Sequence, residues 1–335
     1  MPTRVAINGF GRIGRGFLRA ALTNPGVEIV ALNDLVPPAT NAHLLKYDST
    51  QRVLDLDVSV VEDSLLVGDR AIKVYAERNP ADLPWGELDI DVVIESTGIF
   101  TTREAASAHL AAGAKRVIIS APSPDADATF VMGVNQDSFN PQTDLVISNA
   151  SCTTNCFVPM VKVLDDALGV EAGLMTTVHA YTNDQSLLDL AHKDLRRARA
   201  AAINIVPSST GAARATSLVL SAMKGRLDGT SLRVPIPVGS ITDFTAVVPS
   251  TSVEEVNRAF RTAAEGSLSG YLVYTDEPIV SSDIVGTPAS CTFDSLMTMV
   301  QRLDEARSMV KVFGWYDNEW GYSNRLVDLA SYVSR

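Results

Sequence analysis

A cysteine and a histidine in the second half of the chain are the residues best suited to nucleophilic chemistry. Cys152 lies in the segment Asn149–Cys156, which follows a predicted strand and begins a predicted helix. A thiol in the first turn of a helix faces unpaired N–H groups and the positive end of the helix dipole. We therefore expect its pKa to lie well below the usual value of about 8.5. The resulting thiolate is the nucleophile that attacks a carbonyl carbon.

His179, near the end of a predicted strand, is the candidate base for that thiol. A neutral imidazole beside Cys152 can accept the thiol proton, hydrogen-bond an oxyanion and take up a proton from a substrate. Taken singly, each residue also has a plainer interpretation, as a core cysteine or a packed strand histidine. Cys156 is interpreted as a core residue, and Cys291 carries no functional signal.

A glycine motif near the N-terminus predicts a dinucleotide site. Gly9, Gly11 and Gly14 match G-x-G-x-x-G between a predicted strand and a predicted helix. The first glycine allows a tight turn, the second lets the backbone approach a pyrophosphate, and the third lets the helix pack on the strand. Asp34 follows the second strand, 20 residues after Gly14. A carboxylate there binds the ribose hydroxyls of NAD and repels the 2′-phosphate of NADP. The alternative is a purely structural glycine turn.

Two unlike halves of the chain must position these residues. In the first half, apolar strands alternate with helices, which predicts a mostly parallel sheet covered on both faces, with hairpin strands inserted over Asp57–Tyr75. The second half begins with a predicted helix over Cys152–Leu168. It continues with strands such as Ile241–Val248, whose alternation predicts half-buried antiparallel pairing. The boundary is expected near Asn149.

Composition limits the classes of function. The chain has 335 residues, a net charge of −11 and 46% hydrophobic residues, which fits a globular protein of two domains. This acidic balance argues against nucleic acid as the main partner. Three cysteines do not make a disulfide framework, and the four histidines lack metal-ligand spacing, so no metal site is expected. Without a signal peptide or a membrane-spanning run, a cytoplasmic location is expected.

Six strings spread along the chain carry a resemblance to a known family: Ile7–Arg15, His43–Ser49, Ser151–Cys156, Ser209–Ala213, Leu232–Pro235 and Trp315–Glu319. In these strings the chain closely resembles the phosphorylating, NAD-dependent glyceraldehyde-3-phosphate dehydrogenases. The resemblance implies the α/β fold class, with a Rossmann-type dinucleotide-binding domain and an α+β catalytic domain built on a largely antiparallel sheet. It divides the chain into an NAD-binding domain (1–149), a catalytic domain (150–314) and a C-terminal helix that returns to the NAD-binding domain (315–335).

The resemblance also implies a reaction of glycolysis or gluconeogenesis, in which D-glyceraldehyde 3-phosphate and inorganic phosphate give 1,3-bisphosphoglycerate. NAD is reduced, and the intermediates are a hemithioacetal and a thioester on Cys152. His179 is the implied base. The implied cofactor contacts are Gly9, Gly11, Arg12, Ile13, Gly14, Asp34, Arg78, Ser120 and Asn318. The implied contacts of the substrate phosphate are Thr182 and Arg233. Those of the attacking phosphate are Ser151, Thr153, Thr210 and Gly211, with Arg197 nearby or Arg199 in its place. A homotetramer without nucleic-acid or membrane partners is implied.

Three departures from the family pattern leave alternatives open. Leu190–Ala191 replaces the usual Leu-Pro, so NADP use stays open although Asp34 favours NAD. Phe157–Val158 replaces smaller residues, and Ile236 and Val238 replace a threonine and an asparagine. These changes indicate either an isozyme that tolerates thiol-directed inhibitors or neutral repacking of the core. The alternative functions are erythrose-4-phosphate dehydrogenase and a non-catalytic, thiol-reactive NAD-binding protein.

Overall fold

The first half of the chain forms the predicted parallel sheet. The computed structural model describes residues 1–334. The strands of this half are β1 (Thr3–Asn8), β2 (Val27–Asn33), β3 (Tyr47–Asp48), β4 (Arg52–Val53), β5 (Val58–Val61), β6 (Ser64–Val67), β7 (Arg70–Tyr75), β8 (Val92–Glu95), β9 (Arg116–Ile119), β10 (Ala128–Thr129) and β11 (Val146–Ser148). Nine of them form a sheet in the order β10-β11-β9-β8-β1-β2-β7-β6-β5. The sheet is parallel except at the β7-β6-β5 edge, and β3 pairs with β4 separately.

Four helices accompany these strands: α1 (Arg12–Ala21), α2 (Pro38–Lys46), α3 (Arg103–Ala106) and α4 (Ala108–Ala111). The alanine-rich sequence over 103–112 is typical of one continuous helix, but it forms the two short helices α3 and α4. Ser107 separates them, and its hydroxyl donates a hydrogen bond to the carbonyl of Arg103 at 2.7 Å. Such a local bond lets a serine compete with regular helical geometry, which the alanine-rich composition does not reveal.

The second half contains an eight-stranded sheet with mostly antiparallel pairings. Its elements are α5 (Cys152–Leu168), β12 (Ala172–Ala180), β13 (Val206–Ser209), α6 (Ala212–Val219), β14 (Leu227–Val234), β15 (Ser240–Pro249), α7 (Val253–Glu265), β16 (Leu272–Thr275), β17 (Cys291–Asp294), β18 (Met299–Arg302), β19 (Arg307–Tyr316) and α8 (Trp320–Val333). The strand order is β13-β14-β12-β15-β19-β17-β16, and β18 pairs with β19. Parallel pairing occurs between β12 and β14 and between β16 and β17. The predicted fold class is therefore confirmed.

The chain divides into two compact units. The first unit comprises Met1–Phe130, Gln136–Ala150 and the C-terminal segment from Ser323, and the second comprises Val131–Asn135 and Ser151–Tyr322. Each unit has its own apolar core. Trp85 is fully buried in the first, and in the second the rings of Phe157 and Phe244 pack edge-to-face. Within residues 1–334, no helix combines the length and the apolar character needed to cross a bilayer.

Candidate active site

The thiol of Cys152 lies at the first residue of α5. Ser151 is the N-cap, and its Oγ accepts a hydrogen bond from the Thr154 N–H at 3.0 Å. Ala150 has a φ of 54°, in the left-handed region that few non-glycine residues occupy. Backbone strain of this kind is concentrated at functional sites. The strained turn and the cap together fix the residue at which the helix begins, and with it the position of the thiol.

The pairing of β12 with β14 brings the predicted base and a guanidinium together. The two strands are parallel, with His179 directly opposite Arg233. The Nε2 atom of His179 lies 3.4 Å from the Sγ atom of Cys152. On its other side, Nδ1 lies 2.6 Å from the carbonyl oxygen of Ala180, to which Arg233 Nη1 also donates at 3.1 Å. We assign the imidazole proton to Nδ1 from this bond, which leaves the Nε2 lone pair facing the thiol.

Burial controls the charge of the thiol–imidazole pair. It raises the pKa of Cys152 to about 11, although Arg233 and the Thr153 N–H act in the opposite direction. Burial, with a smaller contribution from Arg233, lowers the pKa of His179 to about 3. The expectation of a lowered thiol pKa is therefore wrong for the resting site, because desolvation outweighs the helix terminus. The sulfur holds the proton at neutral pH, and the imidazole is the acceptor when a thiolate forms.

Tyr316 is a site residue that the sequence patterns did not single out, although the string Trp315–Glu319 contains it. Its ring lies edge-on to the imidazole of His179, with ring centroids 5.9 Å apart. Its hydroxyl lies between the hydroxyls of Thr153 and Thr177, at 2.9 and 2.7 Å. The Thr153 hydroxyl, predicted to hold the attacking phosphate, is thus engaged and buried. Its backbone N–H is the group by which Thr153 would reach an anion.

The two residues predicted to bind the substrate phosphate are in contact. Arg233 Nη1 lies 3.3 Å from Thr182 Oγ1. The Nε atom of Arg233 is buried and has no hydrogen-bond partner among residues 1–334. A desolvated guanidinium with an unused donor has the chemistry that binds phosphate. This unused N–H therefore makes Arg233 the best anion-binding candidate beside the thiol.

Arg197 lies beside the second predicted anion site. Its Nη2 donates to the carbonyl oxygen of Ser209 at 3.2 Å, next to Thr210–Gly211, and its Nη1 pairs with Asp184 at 2.6 Å. Arg199 instead forms an ion pair with a different, exposed aspartate and is itself exposed. Of the two arginines, Arg197 is therefore the one near the predicted phosphate groups.

Asn318 is held in one orientation by the start of β15. Its Oδ1 accepts hydrogen bonds from the Gly239 N–H at 3.2 Å and from the Ser240 hydroxyl at 3.0 Å. Ser240 Oγ also accepts from the N–H of Ala180, the residue after His179, at 3.1 Å. Because Oδ1 is doubly occupied, Nδ2 is the donor that Asn318 would offer to a ligand. A serine at the start of a strand gives no sequence signal for this role.

The glycine motif in the first unit has the geometry that a dinucleotide requires. Gly9 has a φ of +90°, and a Cβ there would lie 2.6 Å from the Thr97 nitrogen. A Cβ on Gly14 would lie 2.2 Å from the Gly9 carbonyl oxygen. Around Gly11, in contrast, a Cβ would meet no described atom within 4 Å. A tight turn, close helix packing and open space over the middle glycine match the requirements of a bound pyrophosphate.

The carboxylate of Asp34 is anchored beside this loop. Its two oxygens accept hydrogen bonds from two backbone N–H groups, at 2.6 and 2.8 Å, the first of which belongs to the glycine loop. The guanidinium of Arg12 pairs with Asp48 at 2.5 Å. Of the other predicted cofactor contacts in this unit, Ile13 and Ser120 are half-buried and Arg78 is exposed.

Replacing His179 with Asn tests the assignment of the base. We expect alkylation of Cys152 by iodoacetamide at neutral pH to slow by about tenfold or more, because the buried thiol then lacks its proton acceptor. At high pH the rates of the two proteins should converge, because the thiol, whose pKa burial raises, then ionises without a base. Mass-spectrometric rates across the pH range measure both effects. Cys156→Ser is the control and should leave the rate unchanged, since Cys156 is fully buried; an unaltered profile in His179→Asn contradicts the assignment.

Comparison with known proteins agrees with this geometry. Residues 3–103 match the family model "Glyceraldehyde 3-phosphate dehydrogenase, NAD binding domain", and residues 151–318 match "Glyceraldehyde 3-phosphate dehydrogenase, C-terminal domain". The chain is 61% identical to glyceraldehyde-3-phosphate dehydrogenase of Streptomyces coelicolor and 60% identical to glyceraldehyde-3-phosphate dehydrogenase 2 of Streptomyces avermitilis, over 99% of each chain. It is 57% identical to the Geobacillus stearothermophilus enzyme, over 100% of this chain and 99% of that one. The chain belongs to the glyceraldehyde-3-phosphate dehydrogenase family.

Proposed function

We propose that the chain is an NAD-dependent, phosphorylating glyceraldehyde-3-phosphate dehydrogenase of glycolysis or gluconeogenesis. It oxidises D-glyceraldehyde 3-phosphate and, with inorganic phosphate, forms 1,3-bisphosphoglycerate. The observation that carries this proposal is the 3.4 Å contact between the Cys152 sulfur and the His179 Nε2, in a chain of this family. We also propose a cytoplasmic location, which the three free thiols support.

His179 moves one proton through the oxidation step. It takes the thiol proton as the Cys152 sulfur attacks the aldehyde carbon, and it returns that proton to the oxygen of the hemithioacetal. The Cys152 N–H at the start of α5 donates to this oxygen while it is charged. His179 takes the proton again as the carbon loses a hydride, and a thioester is left on the sulfur. NAD, when bound, supplies the acceptor for that hydride.

The release of product uses the same pair of residues. Inorganic phosphate attacks the thioester carbon, the carbon–sulfur bond breaks, and the acyl phosphate leaves. The sulfur keeps the bonding electrons and recovers the proton held on His179. Arg233 and Thr182 would hold the substrate phosphate, which the unused Nε of Arg233 supports. The attacking phosphate would lie against Ser151, Thr153, Thr210 and Gly211, near Arg197.

The residues around the glycine loop fit NAD. The open space over Gly11 and the N-terminus of α1 would hold the pyrophosphate, and Asp34 would bind the ribose hydroxyls. Because both Asp34 oxygens are anchored to backbone N–H groups, the carboxylate cannot easily turn away from a 2′-phosphate. NAD is therefore the preferred cofactor. The further contacts would be Gly9, Arg12, Ile13, Gly14, Arg78, Ser120 and Asn318.

A spectrophotometric assay of NADH formation tests this proposal. We expect rapid NADH formation with glyceraldehyde 3-phosphate that depends on inorganic phosphate, and much slower formation with erythrose 4-phosphate or NADP. Cys152→Ser should abolish turnover and leave NAD binding largely intact. Faster turnover of erythrose 4-phosphate would favour the alternative dehydrogenase. Binding of NAD without any turnover would favour the non-catalytic, thiol-reactive protein.

We also propose a homotetramer, because one segment exposes an unusual number of apolar side chains. Leu187, Leu188, Leu190 and Leu195 are between 64% and 82% exposed. Contiguous exposed apolar patches of this kind mark protein–protein interfaces. Light scattering should give the mass of four 35.8 kDa chains, and Leu188→Ser/Leu195→Ser should reduce it. A monomeric wild-type protein would contradict the proposal.

Tolerance of thiol-directed inhibitors is a second proposed property. Phe157 is fully buried in α5, and its ring contacts that of Phe244 in β15, the strand that pairs with β12. The bulk of Phe157 therefore influences the spacing between the helix of Cys152 and the strand of His179. We expect Phe157→Leu/Val158→Ala to be inactivated faster than the wild type by an epoxide inhibitor. Equal inactivation rates would indicate neutral repacking of the core.

A further inference from the structure

The last residues of three neighbouring strands of the first sheet have buried polar side chains, and these side chains form a row. Glu95, Asn8 and Asn33 are the last residues of β8, β1 and β2, and the register places Asn8 directly opposite the other two. Glu95 Oε2 accepts from Asn8 Nδ2 at 2.6 Å, and Asn8 Oδ1 accepts from Asn33 Nδ2 at 2.7 Å. All three are at most 5% exposed. Polar groups this deeply buried require a full set of partners.

A buried histidine, His109, contacts the Glu95 end of this row. The indole N–H of Trp85 donates to His109 Nδ1 at 3.0 Å, so the imidazole proton lies on Nε2. Nε2 then donates to Glu95 Oε2 at 3.0 Å. Both rings are fully buried. Their bonds fix the tautomer of His109 and leave the Glu95 carboxylate one orientation.

The two ends of the row, Glu95 and Asn33, each hydrogen-bond to a neighbouring segment of the chain, one at Thr97 and the other at Glu77. Glu95 Oε1 accepts from the N–H of Thr97 at 2.8 Å and from its hydroxyl. The backbone of Thr97 is the group that a Cβ on Gly9 would strike, so this turn abuts the glycine loop. Asn33 Nδ2 donates to the carbonyl of Glu77 at 2.9 Å, and Asn33 Oδ1 accepts from the Glu77 N–H at 2.7 Å. Glu77 immediately precedes Arg78.

We propose that Glu95, bonded to His109 and Asn8 and linked through Asn8 to Asn33, is a positioning residue for the dinucleotide. The row sets the distance between the glycine loop and Asp34, which follows Asn33, and so pre-organises the site for the pyrophosphate and the adenosine ribose. Pre-organisation of this kind adds affinity by reducing the ordering that a ligand must impose. The inference rests on the proposed binding of NAD. It assigns the effect to the ADP half of the cofactor.

Glu95→Gln tests the role with little change of shape. The Gln oxygen can still accept from Thr97, but its amide nitrogen faces the Asn8 and His109 donors, so the row breaks. We expect the Kd for NAD to rise about tenfold or more, and the Kd for ADP-ribose to rise equally. The kcat at saturating NAD should stay within about twofold of the wild type. Calorimetric titration of the full chain with each ligand measures the binding.

Asp144→Asn is the matched control. Asp144 is another buried carboxylate of the first unit, it accepts from the Asn140 N–H at 2.8 Å, and it precedes β11 at the opposite, amino-terminal edge of the strands. This variant should keep wild-type affinity for both ligands. Asn33→Ala is a second test variant, to be used if Glu95→Gln fails to fold. It should weaken the binding of both NAD and ADP-ribose.

The outcomes separate the inference from the proposed function. Unchanged affinity in a folded Glu95→Gln protein, even with a lower unfolding temperature, would show a purely structural role and overturn the inference. A lower affinity for NAD with an unchanged affinity for ADP-ribose would also overturn the inference. A wild-type protein that binds neither NAD nor ADP-ribose would instead contradict the proposed function.

Discussion

A half-buried thiol and a buried imidazole, 3.4 Å apart, set the requirements that the rest of the second unit meets. Burial makes ionisation of either group alone unfavourable, so the thiolate can form only if its proton passes directly to the imidazole. That transfer requires a fixed distance between the Cys152 sulfur and the His179 Nε2. The cap at Ser151 fixes one partner, and the carbonyl of Ala180, by holding Nδ1, fixes the other.

One parallel pairing within a largely antiparallel sheet explains how the charged group reaches this pair. Because β12 and β14 run in the same direction, their carboxyl ends meet at the same edge, with His179 beside Arg233. The nucleotide-binding unit follows the same rule, since the glycine loop, Asp34 and Glu95 all lie where parallel strands end. Open α/β sheets bind ligands at this edge, where loops from several strands are brought together.

The sequence predicted those features that depend on local patterns. The glycine motif, the helix beginning at Cys152 and the strand carrying His179 each need only a few neighbouring residues, and the structure has all three. It could not predict the raised pKa of Cys152, because the burial that causes it comes from distant strands. Tyr316 and Ser240 were missed for a similar reason, since their hydroxyls act on residues far away in the chain.

Trapping the acylated protein is the most direct test of the central claim. Mixing the chain with NAD and glyceraldehyde 3-phosphate, without inorganic phosphate, should leave one 3-phosphoglyceroyl group on the peptide that carries Cys152. The same mixture with His179→Asn should show far less of it after the same time. Mass spectrometry measures both results. No adduct on the wild-type chain, or an adduct on Cys156 instead, would contradict the account.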